Sequence, residues 1–172
     1  MNFDELIRTR YSVRKYKQDK IEKEKLEKIL EAGRLAPTGA NKQGQRILVV
    51  REKSGLDKAA KAANVFNVPL VLIVCYDKND VWVRPYDKKK LVDIDASIVT
   101  THMMLQATEL GLGSVWICWF EPTILRKEFN LPDNWEPINI LAIGYTDEVP
   151  KPLNRFDSER KPIDQTVFYE EM

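Results

Sequence analysis

The stretch from Leu91 to Gly111 constrains this chain more than any other. Leu91, Val92, Ile94, Ile98, Val99, Met103, Met104, Leu105, Ala107 and Leu110 recur at helical spacing, yet they spread around most of the helix circumference. A surface helix keeps a polar face, so one that is apolar nearly all round must be central and covered by other elements. The rest of the chain has to supply that cover. With 172 residues, 44% hydrophobic and 31% charged, it is long enough for one domain that buries roughly 70% of its unfolded surface. That composition excludes disordered, collagenous and disulfide-scaffold classes.

The covering elements follow from period and punctuation. Asn2 with Glu5 forms a capping-box pattern ahead of Phe3, Leu6 and Ile7, which predicts a first helix ending near Thr9. Lys20 to Arg34 carries Ile21, Leu26, Ile29, Leu30 and Ala32 at helical spacing, with Gly33 and Pro37 as stops. Ile47–Val50 and Val68–Tyr76 are short runs of strand formers, with a modest helix, Ser54–Ala63, between them. Gly111 and Gly113 close the central helix; Ser114–Trp119 reads as a buried strand, Pro122–Phe129 as a short helix and Pro137–Tyr145 as a strand. Four strands and about five helices, opening on two helices and with one clean β-helix-β spacing, predict an α+β fold. The expected architecture is a three-layer helix/sheet/helix with a central mixed sheet. Residues 1–172 form a single domain in this reading. Residues 145–172 hold Pro150, Pro152 and Pro162 with Phe156, Phe168 and Tyr169 and no helical period, so they predict an extended C-terminal arm whose aromatics wrap a partner subunit.

Charge and cysteines narrow the function classes. Lys plus Arg is 27 against Asp plus Glu at 26, so no global field favours nucleic acid or anionic lipid. The longest purely apolar run, Val68 to Cys75, is far below the roughly 18 residues of a membrane span, and no signal-peptide core follows Met1; a cytoplasmic protein is expected. Cys75 and Cys118 stand in apolar runs without a CxxC spacing, which predicts two buried thiols, no disulfide and no metal site.

Two segments could carry chemistry. Arg8, Arg10, Arg14 and Lys15 surround Ser12 at the end of a short helix, and guanidinium forks with a hydroxyl suit a phosphate monoester. The loop Ala36 to Gly44 offers Thr38, Asn41 and Gln43, whose donors and acceptors suit the edge of a heterocycle with alternating carbonyls and ring nitrogens. On spacing alone the first is more readily a solvated basic turn, and the second is equally an ordinary helix-terminating turn. Asp95 and His102 lie two turns apart on the central helix, with Cys118 in the next strand, an arrangement open to a Cys-His hydrolase reading. No nucleophile signature surrounds Cys118, and a lone His on an apolar helix is more often a hydrogen-bonded core residue. The four tryptophans, Trp82, Trp116, Trp119 and Trp135, are expected as core and interface anchors.

Arg10-Tyr11-Ser12-Val13-Arg14, Ala36-Pro37-Thr38-Gly39-Ala40-Asn41-Lys42-Gln43, Leu110-Gly111-Leu112-Gly113-Ser114-Val115-Trp116-Ile117 and Ile143-Gly144-Tyr145 occur in that order across nearly the whole chain. Together they resemble the nitroreductase family of flavoproteins. The resemblance implies a homodimer with two FMN sites at the subunit interface, each built from both chains. It places Arg10, Tyr11, Ser12 and Arg14 on the FMN phosphate and ribityl chain, with Arg14 near the pyrimidine edge as the residue that tunes the flavin. Pro37, Thr38, Gly39, Asn41 and Gln43 match the loop lent by the partner. Cys118 and Trp119 match the strand end lying against the flavin's reactive nitrogen through a backbone N–H, and Arg160 and Lys161 match a basic pair of the tail that closes on the phosphate. The implied reaction is a ping-pong cycle: NADH or NADPH reduces FMN and leaves, then an acceptor such as a nitroaromatic or quinone takes the electrons from the same pocket. Because the cofactor carries that chemistry, the chain needs no acid–base dyad, in keeping with its single histidine. A non-catalytic FMN sensor or store, or another flavin reaction of the family, stays open. Thr38-Gly39 and Gly44-Gln45 depart from the family pattern, and the short connection Asp77 to Lys90 leaves Trp82 and Tyr86 as the residues to wall the flavin.

Overall fold

A computed structural model describes residues 1–171. Two long strands, β2 (Leu70–Asp77) and β4 (Trp135–Gly144), lie side by side, with β1 (Gln45–Val50) and β3 (Gly113–Ile117) outside them in the order β1-β2-β4-β3. All eight residues of β2 are buried, as expected of a strand covered on both faces. Its side chains alternate. Leu70, Leu72, Val74 and Tyr76 face a core completed by α2 (Lys23–Leu35) and α4 (Val92–Glu109), while Val71, Ile73 and Cys75 face a second core completed by α3 (Lys53–Ala62) and α5 (Pro122–Phe129). This is the three-layer α+β arrangement expected from the sequence. Each of these large aliphatics contributes about 1.5–3 kcal/mol on burial, so slipping β2 by one residue would exchange both cores at once.

Helix α4 is covered on one side. Asp95, Ala96, Val99, Thr100, Met103 and Ala107 of α4 are buried against the sheet and α2. A Cβ on Gly33 would lie 2.9 Å from Met103 Cγ, so the two helices approach closely there. The opposite side of α4 is not closed within the chain: Ile94 is 42% exposed and Ile98 and Leu105 are half-buried.

Several expectations are corrected. Every pair of strands is antiparallel, and the parallel component of the sheet is a single bridge between Ser12 and Ser114. Hydrophobic period does not report the end of a sheet to which a connection returns. After α3 the chain comes back to the end it left, with Ala63, Val65 and Val68 buried in the same core as the helix. Strand β3 ends at Ile117, so Cys118 and Trp119 lie past it; Cys118 is exposed rather than buried, and Trp119 is 94% exposed. Trp82, Trp116 and Trp135 are only half-buried, so no tryptophan is a fully buried anchor. In the arm, short 3₁₀ turns at Leu153–Arg155 and Ile163–Gln165 flank a four-residue helix, α6 (Phe156–Glu159), which the sequence reading did not anticipate. Helix α1 (Phe3–Thr9) ends where expected and carries the capping box in full. Among the described residues, no helix is long and apolar enough to cross a membrane.

Candidate functional site

The basic segment after α1 is tied across the outer edge of the sheet. Val13 N–H donates to Ser114 O at 3.0 Å, Lys17 N–H to Tyr145 O at 2.8 Å, and the Thr146 hydroxyl to Lys15 O at 2.8 Å. Buried Val13 serves as the plug: a Cβ on Gly113 would come within 2.7 Å of it. Arg10 and Arg14 stand at either end of this short segment, four residues and so at most about 13 Å apart.

Around Arg10 the cations converge. Arg155 donates from its guanidinium to Arg10 O at 2.8 Å, and the guanidiniums of Arg155 and Arg160 pack on the Phe156 ring with their central carbons 4.0 and 4.8 Å from its centroid. Burial, then the neighbouring Arg155 and Arg160 charges, hold the Arg10 pKa below its usual value. None of the three arginines has a carboxylate within ion-pair distance among the described residues. A lowered pKa on a base marks a place where its positive charge is disfavoured, and a bound dianion reverses that sign. The cluster therefore fits a phosphate. Arg155 was not among the residues singled out from the sequence; its only signal there was another basic residue in the arm. Lys161 is exposed and makes no ion pair among the described residues.

Beside this segment opens a cleft of about 770 Å³, lined among others by Arg14, Asn64, Phe66, Trp116, Cys118 and Trp119. Arg14 sits over the Phe66 ring, 5.9 Å from its centroid, and its N–H donates to Glu148 Oε1 at 3.0 Å. The last ladder pair of β3 is Ile117 with Ile140. Beyond it, the Cys118 and Trp119 N–H groups donate no backbone hydrogen bond among the described residues, while the Trp116 indole N–H donates to Cys118 Sγ at 3.1 Å. Asn64 and Phe66 were not anticipated; they lie in the return after α3, where the sequence offers only the turn formers Asn64 and Asn67, and Phe66 and Asn67 adopt positive φ.

The second predicted segment lies elsewhere. Pro37 to Gln43 precedes β1, at the opposite edge of the sheet from Ser12 and β3, and its entry is fixed by Asp95 of α4, whose Oδ1 accepts the Gly39 N–H at 3.0 Å. Asn41 and Gln43 are exposed, and Thr38 Oγ1 accepts the Gln43 N–H at 3.0 Å. Within one chain the structure thus brings Arg10, Tyr11, Ser12, Arg14, Cys118, Trp119 and Arg160 to one sheet edge and leaves Pro37, Thr38, Gly39, Asn41 and Gln43 at the other. The hydrolase constellation does not assemble. Asp95 is engaged by Tyr76 and Gly39, Nδ1 of exposed His102 contacts Ile98 O at 2.9 Å, and Cys118 holds the Trp116 indole. The other thiol, Cys75, is buried in the sheet, and burial pushes its pKa up to about 12.

The fold and this edge define an α+β protein with a phosphate-competent arginine cluster beside an aromatic-lined cleft. The nitroreductase family model matches two overlapping stretches, residues 7–69 and 57–145. A solved nitroreductase family protein of Clostridium difficile strain 630 is 56% identical, with a TM-score of 0.97 and full coverage of both chains. A structure named as an FMN-dependent nitroreductase, from Clostridium difficile R20291, is 31% identical with a TM-score of 0.81, covering 97% of this chain and 98% of that one. A Methanothermobacter thermautotrophicus protein with the provisional name NADH dehydrogenase/NAD(P)H nitroreductase is 30% identical over 173 residues, 93% of this chain and 85% of its own length. The chain belongs to the nitroreductase family of oxidoreductases.

Proposed function

We propose that this protein is a homodimeric, FMN-dependent oxidoreductase that uses NADH or NADPH. The observation that carries the reading is the arginine cluster: three guanidiniums without a carboxylate partner among the described residues, one residue segment away from a cleft sized for a heterocycle. The similarity to a protein named as an FMN-dependent nitroreductase supports it. When bound, FMN would accept a hydride from NADH or NADPH and pass the electrons to an oxidised acceptor such as a nitroaromatic or quinone in a ping-pong cycle.

The chain's own residues have distinct tasks in this reading. Arg10, Arg155 and Arg160 neutralise the phosphate dianion. Arg14, at the cleft, offers a guanidinium to the pyrimidine edge, where negative charge accumulates on reduction. The free N–H groups of Cys118 and Trp119 are left to meet an acceptor on the ring, and the exposed Trp119 indole borders the space for the second substrate. Loop 37–43 sits on the wrong edge to reach its own chain's cleft, so it serves the partner's. The unclosed side of α4 and the exposed Ile163, Phe168 and Tyr169 of the arm are the apolar surfaces such a dimer would cover.

The test is the visible spectrum of the protein reconstituted with FMN, before and after anaerobic NADH or NADPH. Flavin bands that survive desalting and then bleach are expected. Bands that survive without bleaching point to a sensor or store, and no retained flavin defeats the proposal.

A further inference from the structure

We infer that Asp95 is a positioning residue: its buried carboxylate clamps the Thr38–Gln43 loop into the shape that completes a flavin site. The inference rests on the FMN reading above. Asp95 is 1% exposed and Tyr76 is fully buried. The Tyr76 hydroxyl donates to Asp95 Oδ2 at 2.7 Å, and the Gly39 N–H donates to Asp95 Oδ1 at 3.0 Å. The loop's exit meets the same pair, because a Cβ on Gly44 would fall 2.4 Å from the Tyr76 ring. Both ends of the loop therefore close on one tyrosine–carboxylate unit inside the core.

The loop needs such a clamp. Ala40, Asn41 and Gln43 have φ of 48°, 54° and 51°, a region uncommon for residues other than glycine and asparagine, so Ala40 and Gln43 need their surroundings to hold it. Residues 40–43 are exposed, so the loop has no burial of its own to hold that shape. Its other bonds, Asn41 N–H to Thr38 O, Lys42 N–H to Gly39 O, Gln43 N–H to the Thr38 hydroxyl and Arg46 to Gln43 O, are local and water-accessible. A buried carboxylate is costly where packing alone is wanted. Here both oxygens are used, one on the core and one on the loop.

The test uses the full-length protein and four variants: Asp95→Ala, Asp95→Asn, Gly39→Pro and Gly39→Ala. FMN affinity is read by flavin fluorescence, and backbone hydrogen exchange over residues 38–44 is read in flavin-free protein. Asp95→Ala should weaken FMN binding about tenfold or more, the worth of a lost hydrogen bond to a charged group, and accelerate loop exchange while β2 and the rest of α4 stay protected. Asp95→Asn, whose amide oxygen still accepts from Gly39, should stay within about threefold of wild type. With Gly39→Ala as the control for the added Cβ, which would meet Leu91 Cδ1 at 3.1 Å and Trp82 Cβ at 3.3 Å, Gly39→Pro removes the donor from the loop's side; Thr38, at φ −132° and ψ 156°, already has the conformation a following proline requires. It should weaken binding as Asp95→Ala does, and it decides the matter if Asp95→Ala fails to fold. Wild-type affinity and exchange in Asp95→Ala or Gly39→Pro would overturn the clamp, as would equal loss in the Asn variant or exchange that rises uniformly through the chain. If the wild-type protein binds no FMN, the flavin reading falls, and loop exchange alone then decides whether the clamp exists.

Discussion

The two segments that carry the candidate site are anchored by opposite means. The stretch Arg10 to Lys17 lies on the outside of the sheet and is held by the arm and its approach: Arg155 on Arg10, Glu148 on Arg14, Thr146 on Lys15. The loop Thr38 to Gln43 is held chiefly from inside, by Asp95 and the ring of Tyr76, with Arg46 donating to Gln43 O on the exposed side. The first adds, to the buried Val13 and its backbone bond to Ser114, two charged contacts near water, from Arg155 and Glu148, and salt screens both. The second is made of desolvated hydrogen bonds, which salt scarcely touches. One half of the site therefore depends on solution conditions and on the placement of the arm, and the other half on the integrity of the core.

Substitutions sharpen that contrast in descending order of effect. Arg10→Ala removes the half-buried member of the cluster and should weaken FMN binding about 10- to 100-fold, measured by fluorescence titration, with little change in unfolding. Gly44→Ala should act the other way round: the new methyl runs into the Tyr76 ring and costs about 1–3 kcal/mol of stability by chemical denaturation. If Gly44→Ala leaves stability unchanged, the loop is not anchored in the core. Arg155→Ala should cost about tenfold in FMN affinity, because it removes one charge-assisted contact and leaves two cations. Raising ionic strength from about 0.05 to 0.5 M should weaken wild-type FMN binding several-fold; the penalty of Asp95→Ala should be the same at both salts. A salt-dependent Asp95→Ala penalty would erase the distinction between the anchors. Lys28→Ala, on the exposed face of α2, should change neither affinity nor stability by more than about twofold in the corresponding equilibrium constant.

Much of this molecule is legible in its sequence, and the illegible parts share a cause. The strands Leu70–Asp77 and Trp135–Gly144 announce themselves because burial on two faces demands long apolar runs, and the helix Val92–Glu109 because its apolar residues recur at helical spacing. Cys118 and Trp119 misled because an apolar run continues past the last ladder bond, and hydrophobicity does not mark where pairing stops. Asp95 looked like a possible partner for His102 because both stand on one helix; that one is buried on Tyr76 while the other faces solvent depends on what packs against α4. Arg155 carried no motif, and it became part of the candidate site only when the arm laid it against Arg10.

Local pattern by itself determined the layers, the two buried faces of the sheet, the capping of α1 and the presence of a basic segment and an amide-bearing loop, because each follows from side-chain period and short-range chemistry. Only the tertiary structure decided that the strands run antiparallel, that the basic segment and the loop sit on opposite edges, and that Arg155 and Asp95 are their respective anchors. Those outcomes join residues far apart in the chain, Arg10 with Arg155 and Gly39 with Asp95, and no local spacing encodes a contact whose formation depends on how every intervening element packs.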